Sequence, residues 1–519
     1  MAYFVDLERG VPRDQGILGR LRHHAQVQPD AIALRDRHGG ISYGELVARV
    51  RHYADQIAEK SHPNLKRIGI LAENTPEYLV CFLGIVASGR CAVTLPALLT
   101  TESLRKIVSD ADCGVIFADS AYATVAEALR DPAGAERDVT QFLPQRAGNA
   151  IESMDAEPFA GESGDYPDSE FNIVYSSGTT GTPKGIVHTH RSRAVMAAGF
   201  SGLGMDTAAT TLVSTPLYTN MSIPAFLGTL WGGGCTLIAG RFNPEDYLRI
   251  SQEFKATHFF LVPDQVKRLF ESPEFGKTDL SSSQLVYVAG SFLSPELKLS
   301  LLRLWPGVAV EVYGISEGAP YTAHFLTDET ACLDHSVGNP PNGVRMAVLD
   351  PKGKLLGPGE IGELIGQSGN MMLGYNNRPD AMQELIWKDA NGSIYFRSGD
   401  LGCIDESGKV HLKGRLKEMI ISGGLNIYAS DVEEVLNRHG QVAECAVIAA
   451  PSERWGESPF GFVVLRAASE LDEQEILNWA NSRLSKYQQL AGISIIESLP
   501  RNTLGKVVKP ELKRLLAKT

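Results

Sequence analysis

Short apolar runs alternate with stretches of helical periodicity over most of this chain. Runs at 67–71 (RIGIL), 91–95 (CAVTL) and 114–117 (GVIF) read as buried strands, and between the last two Leu104, Ile107 and Val108 recur at helical spacing. The strand signal returns at 236–239, 258–262, 285–289 and 308–313. After 285–289, Ser294-Pro295 predicts a helix start, with Leu297, Leu301 and Leu304 expected on one face. The stretch 79–99 is the most membrane-like, but Arg90 and Pro96 interrupt it, so it reads as a buried helix followed by a buried strand. Strands alternating with helices predict an α/β fold, layered around largely parallel sheets.

From about residue 345 the texture changes. Turn signals at 350–353 (DPKG), 357–359 (GPG) and 389–392 (DANG) mark a small β-rich subdomain. After Gly414 a compact α+β segment follows, in which 430–433 (SDVE) reads as a capping box before an apolar face of Val432, Val435 and Leu436. The expected division is a large domain over 1–414, a boundary at 415–417, and a small C-terminal domain over 418–519.

Composition narrows the classes without choosing among them. A chain of 519 residues exceeds one compact core, and 43% hydrophobic with 21% charged residues is ordinary for a globular protein. With 49 basic against 61 acidic residues the formal charge is −12, which argues against a nucleic-acid binder but not against a nucleotide substrate. Seven cysteines are scattered with no C-x-x-C spacing, which predicts reduced thiols, not a disulfide framework or zinc site. No apolar run follows the start, where Asp6 and Glu8 stand, so neither a signal peptide nor a transmembrane segment is expected and the expected location is cytoplasmic. His188 and His190 would share one face of a strand, but no third metal ligand accompanies them and a structural role is expected.

The chemistry begins at residues 176–185, SSGTTGTPKG, directly after the strand-like 171–175 (FNIVY). Glycine lets backbone N–H groups approach an oligophosphate, and the hydroxyls and Lys184 add donors. A Walker A loop is excluded. Its lysine is followed by Ser or Thr and opens a helix, whereas Lys184 is followed by Gly185 and the strand-like 186–188 (IVH).

This loop resembles the signature loop of the adenylate-forming superfamily, which comprises acyl-CoA synthetases, free-standing adenylation domains and luciferase-like ligases. Further strings resemble the superfamily's motifs in order: 313–317 (YGISE), 362–364 (GEL) with Gly374-Tyr375, 395–401 (YFRSGDL), 414–417 (GRLK) followed by Gly423-Gly424, and 500–506 (PRNTLGK). Each is weak alone, but the ordered set spans nearly the whole chain and is most similar to an acid:CoA ligase. The resemblance implies a reaction in two halves: a carboxylate attacks the α-phosphate of ATP with Mg²⁺ present, releasing pyrophosphate, and a thiol then attacks the acyl-adenylate. An anion meeting a triphosphate needs positive charge and positioning more than an acid or base.

On this basis Lys506 is expected to bridge the carboxylate and the α-phosphate, and Glu317 to hold Mg²⁺. Ser316 and Lys184 contact phosphate, with Ser176, Ser177, Gly178, Thr179, Thr180 and Gly181 forming the phosphate loop. Ala289, Gly290, Ser291, Tyr313 and Gly314 flank the adenine, while Asp400 and Arg415 hold the ribose. Lys417 matches the hinge, and Ser422, Gly423 and Gly424 line the path of CoA. The acid pocket is expected from Tyr218, Asn220, Met221, Ile223, Phe226, Gly318 and Ala319, together with Ala289, Gly290 and Gly314. None of these is cationic or acidic, which favours an apolar aryl, cyclic or medium-chain monocarboxylic acid over a dicarboxylate or an amino acid. Thr219 stands where many relatives carry an aromatic or histidine gate, and Ala429 replaces a common proline. The expected partners are the acid, ATP and CoA, with no nucleic acid and with a homodimer as the one assembly carried forward. Three alternatives stay open: an adenylation enzyme loading a separate carrier protein, a non-enzymatic nucleotide-binding protein, and an oxygen-dependent luciferase-like enzyme. The intact set Lys184, Glu317, Asp400, Arg415 and Lys506 argues against decay to a binding protein.

Overall fold

The strands that position the site are apolar because both their faces are covered. Arg67–Leu71, Cys91–Thr94, Val115–Ala118 and His258–Leu261 are buried along nearly their whole length, as parallel strands between helices must be. The computed structural model describes residues 16–60, 65–130, 138–141, 159–162, 167–176, 183–423, 425–466, 469, 471–501 and 506–517. It divides into two compact units, one comprising Met1–His335, Pro340–Arg345 and Gly366–Phe396, the other Ser336–Asn339, Met346–Ile365 and Arg397–Thr519.

The first unit contains two sheets. One has eight strands in the order Tyr321–Phe325, Val308–Gly314, Leu285–Ala289, His258–Leu261, Thr210–Val213, Cys235–Ile238, Ile32–Arg35 and Gly40–Ser42. Its inner pairings are parallel and its two edge pairings antiparallel. The other has seven strands in the order Gly374–Tyr375, Lys184–Thr189, Glu170–Ser176, Cys91–Thr94, Arg67–Leu71, Val115–Ala118 and Asp138–Gln141, parallel from Glu170–Ser176 onward. The stretch over 79–99 is indeed a buried helix, Pro76–Ala87, capped by Thr75, and then the strand Cys91–Thr94. All seven cysteines are unpaired. No helix among the described residues is long and apolar enough to cross a membrane.

Three local expectations give way to longer-range contacts. The helix Pro295–Leu304 starts as expected, with Ser294 capping Leu297 N, but Leu304 is 56% exposed and its place on the buried face is taken by Lys298 beside Leu301. Lys298 turns inward because its Nζ lies 2.6 Å from Glu311 Oε2 on Val308–Gly314, so the charge is paired where it is buried. The 430–433 string forms no capping box: the helix Ala429–Asn437 begins two residues earlier than the box requires, after Tyr428. Ser430 Oγ instead donates to Lys413 O (2.6 Å), and Glu433 accepts from Val447 N (2.8 Å) and pairs with Lys509 (2.9 Å). His190 is not on a strand with His188. The strand ends at Thr189, which forms a capping box with Ser192 at the start of the helix His190–Ser201.

In the second unit the end of Ile394–Ile404 pairs antiparallel with Val410–Arg415. A further sheet runs Leu425–Ile427, Ile420–Ser422, Gly456–Leu465, Val442–Ser452, with Gly492–Ile495 on Gly456–Leu465. Ile420, Ile427, Val432, Leu436, Val447, Val463 and Ile476 form its core, an α+β arrangement.

Candidate active site

Open parallel sheets leave their ligand crevices at the carboxyl ends of the strands, where the next helix begins. In the eight-stranded sheet those ends carry the loop after Thr210–Val213, with Tyr218 and Asn220, and the turn 289–291; the edge hairpin after Val308–Gly314 carries Ser316 and Glu317. Ala289 pairs with Val312, so the turn and Tyr313 are neighbours. The loop over 214–220 is tied to the other sheet's carboxyl edge. Asn74 Nδ2 donates to Thr215 O and Asn74 Oδ1 accepts from Leu217 N (both 2.9 Å), while Thr94 Oγ1 donates to Tyr218 O (3.0 Å). The phosphate loop springs from that same edge as the turn of the hairpin Glu170–Ser176/Lys184–Thr189, with Ser176 opposite Lys184. Ser177, Gly178, Thr179, Thr180 and Gly181 lie outside the described residues.

Glu317 and Lys184 are joined through a residue that the sequence motifs contained but whose role they did not state. Tyr375, on the short strand paired with Lys184–Thr189, donates its hydroxyl to Glu317 Oε1 at 2.5 Å, and Lys184 Nζ lies 4.6 Å from the centre of its ring. Burial, and then the Glu317 charge, raise the Tyr375 pKa far above its ordinary value, so the phenol stays a donor. The turn itself is fixed by Met372 N donating to Glu317 O (2.8 Å) and by Gly318, whose φ is +95° and where a Cβ would stand 2.2 Å from Asn370 O. Glu317 keeps Oε2 for another partner. No cluster of three His, Cys, Asp or Glu among the described residues would hold a metal, so a cation at Glu317 would complete its shell with phosphate and water oxygens, which suits Mg²⁺.

The acid-pocket residues separate into two groups. Ile223 and Phe226 are core: with Tyr78, Leu79, Phe82 and Leu217 they surround a void of about 10 Å³, room for at most one water. Asn220 and Met221 are only partly buried, and Tyr218, Gly318 and Ala319 are buried near them in sequence and sheet order. Asn220 Oδ1 accepts from Nη1 of Arg193 (2.9 Å), a cation that the sequence reading of this pocket did not contain. Its only sequence signal is a lone arginine at an inward position of the small-residue helix His190–Ser201.

In the second unit, Asp400 and Arg415 face each other across paired strands, with Arg415 Nε 2.7 Å from Asp400 Oδ1. The 397–400 turn is braced by Glu363, which takes Arg397 Nε (2.8 Å) and Gly399 N (3.1 Å). Lys506 stands in the fields of Arg415, Glu418, Asp400 and Lys509. Its side chain is exposed, yet partial loss of water around the ammonium and then Arg415 lower its pKa against the pull of Glu418 and Asp400. Lys417 is exposed in the short 3₁₀ turn Leu416–Glu418. Ser422 is buried at a strand end, and Gly423 donates its N–H to Trp455 O (2.8 Å) with the indole so close that a Cβ would stand 2.8 Å from it. Gly424 lies outside the described residues.

The family model of AMP-binding enzymes matches residues 21–376, and that of the AMP-binding enzyme C-terminal domain matches 431–506. A feruloyl-CoA synthase from Amycolatopsis sp is 31% identical over 97% of this chain and 99% of its own. A fatty acid–[acyl-carrier-protein] ligase, ScoC of Streptomyces coeruleorubidus, is 27% identical over 97% and 96%. Among solved structures, ATP-bound MatB from Rhodopseudomonas palustris superposes with a TM-score of 0.84 at 25% identity, over 96% of this chain and 99% of that one. The chain belongs to the AMP-binding enzyme family. It is an AMP-forming acid–thiol ligase, in which ATP and a carboxylic acid give an acyl-adenylate that passes to a thiol.

Proposed function

We propose that the thiol is CoA and that the residues gathered at the two motif clusters carry the two half-reactions. The observation that supports this most is the Lys184–Tyr375–Glu317 chain, an ammonium and an oriented carboxylate beside the phosphate hairpin. In the first half a carboxylate oxygen of the acid attacks the α-phosphorus, a P–O bond forms, and the bond to the bridging oxygen breaks to release pyrophosphate. Lys184 and Ser316 hold the phosphates, Asp400 accepts from the ribose hydroxyls, and Arg415 is fixed beside them by its ion pair with Asp400. Lys506 supplies the positive charge between the two anions. Mg²⁺ bound by Glu317 would spread the phosphate charge; Tyr375 keeps that carboxylate oriented. In the second half the sulfur attacks the acyl carbon, the thiol proton is lost to solvent, and AMP leaves. Ser422 and the glycines after it line the sulfur's path, with Trp455 over Gly423.

Transfer to a carrier-bound thiol is the second reading, favoured by the likeness to the carrier-protein ligase ScoC. The deciding experiment measures pyrophosphate release across aryl, cyclic and aliphatic acids, each alone, with CoA, and with a holo-carrier protein. Thioester formation with CoA is expected; thioester only with the carrier would replace the first reading by the second, and no pyrophosphate with any acid would sink both.

A further inference from the structure

We propose that Arg193 is the specificity-determining residue of the acid pocket and that the acid it selects is a dicarboxylate, whose second carboxylate the guanidinium and Asn220 receive. The proposal rests on the acid-activation reading above and names the substrate class for that site.

Arg193 is 1% exposed and is the largest fully buried side chain among the described residues. Its partners are all neutral: Nε donates to Asn172 Oδ1 (2.8 Å), and Nη1 donates to Asn220 Oδ1 (2.9 Å) and lies 3.3 Å from Met196 Sδ. Nη2 is buried with no hydrogen-bond partner, and among the described residues no carboxylate pairs with the group. Three other inward cations of this unit do have a carboxylate: Lys298 has Glu311, Arg67 has Glu170, and Arg22 has Glu162. Burial pushes Arg193 down to about 9, which leaves it cationic at neutral pH. It also stands near the N-terminal end of the helix His190–Ser201, whose dipole adds positive potential to its own. Neutral oxygens satisfy N–H bonds without cancelling the charge, and an uncompensated buried ion is strongly unfavourable. The site is built for an anion.

Its surroundings place that anion in the acid pocket. Asn220 belongs to the pocket loop and is only partly buried; with its oxygen committed to Arg193, its amide NH₂ is left to donate. On the other side lies His188, whose ring sits against the Ser316 backbone and whose pKa is held well below the usual value by burial and then by Arg193. The guanidinium is thus bonded to the 218–221 segment and acts on His188, the neighbour of the 313–319 segment. The reacting carboxylate is the wrong anion for it, because clamping that group in an arginine bridge stabilises the nucleophile before reaction and slows the step. A second carboxylate, which keeps its charge throughout, has no such conflict and matches the planar fork.

The test measures kcat/KM for pyrophosphate release with dicarboxylates from succinate to suberate and with aromatic dicarboxylates. Each is paired with the monoacid that carries a methyl group instead of the second carboxylate. The native enzyme is expected to favour its best diacid over the paired monoacid by on the order of 100-fold or more. R193M should lower that ratio by about the same factor, with N220A lowering it less and R193K retaining part of it. A native ratio below one, or a ratio unchanged in R193M and N220A, overturns the proposal. If no acid in either series releases pyrophosphate, the acid-activation reading is what fails. The arginine is then judged by binding alone: a diacid must raise the Tm of the native protein more than that of N220A, and no such rise also overturns it.

Discussion

Tyr375 makes two contacts that a single substitution separates. Tyr375→Phe keeps the ring under Lys184 and removes only the hydroxyl that holds Glu317 Oε1. A carboxylate that is free to rotate is a poorer metal ligand, so the Mg²⁺ concentration for half-maximal adenylation should rise and kcat fall by about 10-fold. An unchanged Mg²⁺ titration would show that Tyr375 is only packing. At Lys506 the useful form is protonated, since its proposed task is to place positive charge between carboxylate and phosphate. Its pKa lies below the ordinary 10.5 because of its surroundings and Arg415, so adenylation should decline as pH rises through a value lower than 10.5. Lys506→Arg should push that alkaline limb upward, and Lys506→Ala should lose about 10²–10³ in adenylation while sparing thioester formation from supplied acyl-AMP. Equal losses in the two half-reactions would remove Lys506 from its assigned place.

At the scale of elements, the buried pair Lys298–Glu311 pins the helix Pro295–Leu304 to the strand Val308–Gly314, next to the hairpin that carries Glu317. Lys298→Met leaves Glu311 in the core with only the longer His324 contact (3.4 Å) and should cost about 3–5 kcal/mol in urea unfolding, whereas the double change with Glu311→Leu should recover most of it. A double mutant as weak as the single one would mean that the pair is not coupled. This pair also shows what a sequence conveys. Strands such as Arg67–Leu71 and Leu285–Ala289 were legible because burial on both faces requires an unbroken apolar run. The inward lysine was not legible, because its partner lies thirteen residues away on another element, and a lysine at helical spacing otherwise belongs in water. Ser430 and Glu433 misled for the same reason: their side chains serve Lys413, Val447 and Lys509 instead of the helix end. A sequence names a proposed site residue directly where a motif supplies it, as with Glu317 and Asp400. Arg193 lies in no motif, and only the fold brings it to Asn220.

For the whole molecule, the proposed chemistry asks one C-terminal domain to present two different groups to the same acyl carbon: Lys506 while the adenylate forms, and the 422–424 segment while the thiol attacks. Lys417 is the residue about which that exchange is proposed to turn. Proline there fixes φ near −65°, a value that a 3₁₀ turn such as Leu416–Glu418 already accepts, so the substitution removes freedom more than it imposes a new shape. It also disfavours the helical geometry that Leu416 has in this turn, so a small local distortion accompanies the loss of freedom. Lys417→Pro should therefore leave pyrophosphate release without CoA within a few-fold of the native rate, and lower thioester formation from supplied acyl-AMP by on the order of 100-fold. The two assays must be run on the same preparation, because each kind of failure leaves its own mark. Parallel losses in both would mean that the turn is simply damaged. Native rates in both would mean that the two half-reactions exchange groups about some other point, and the hinge assignment of Lys417 would go with them.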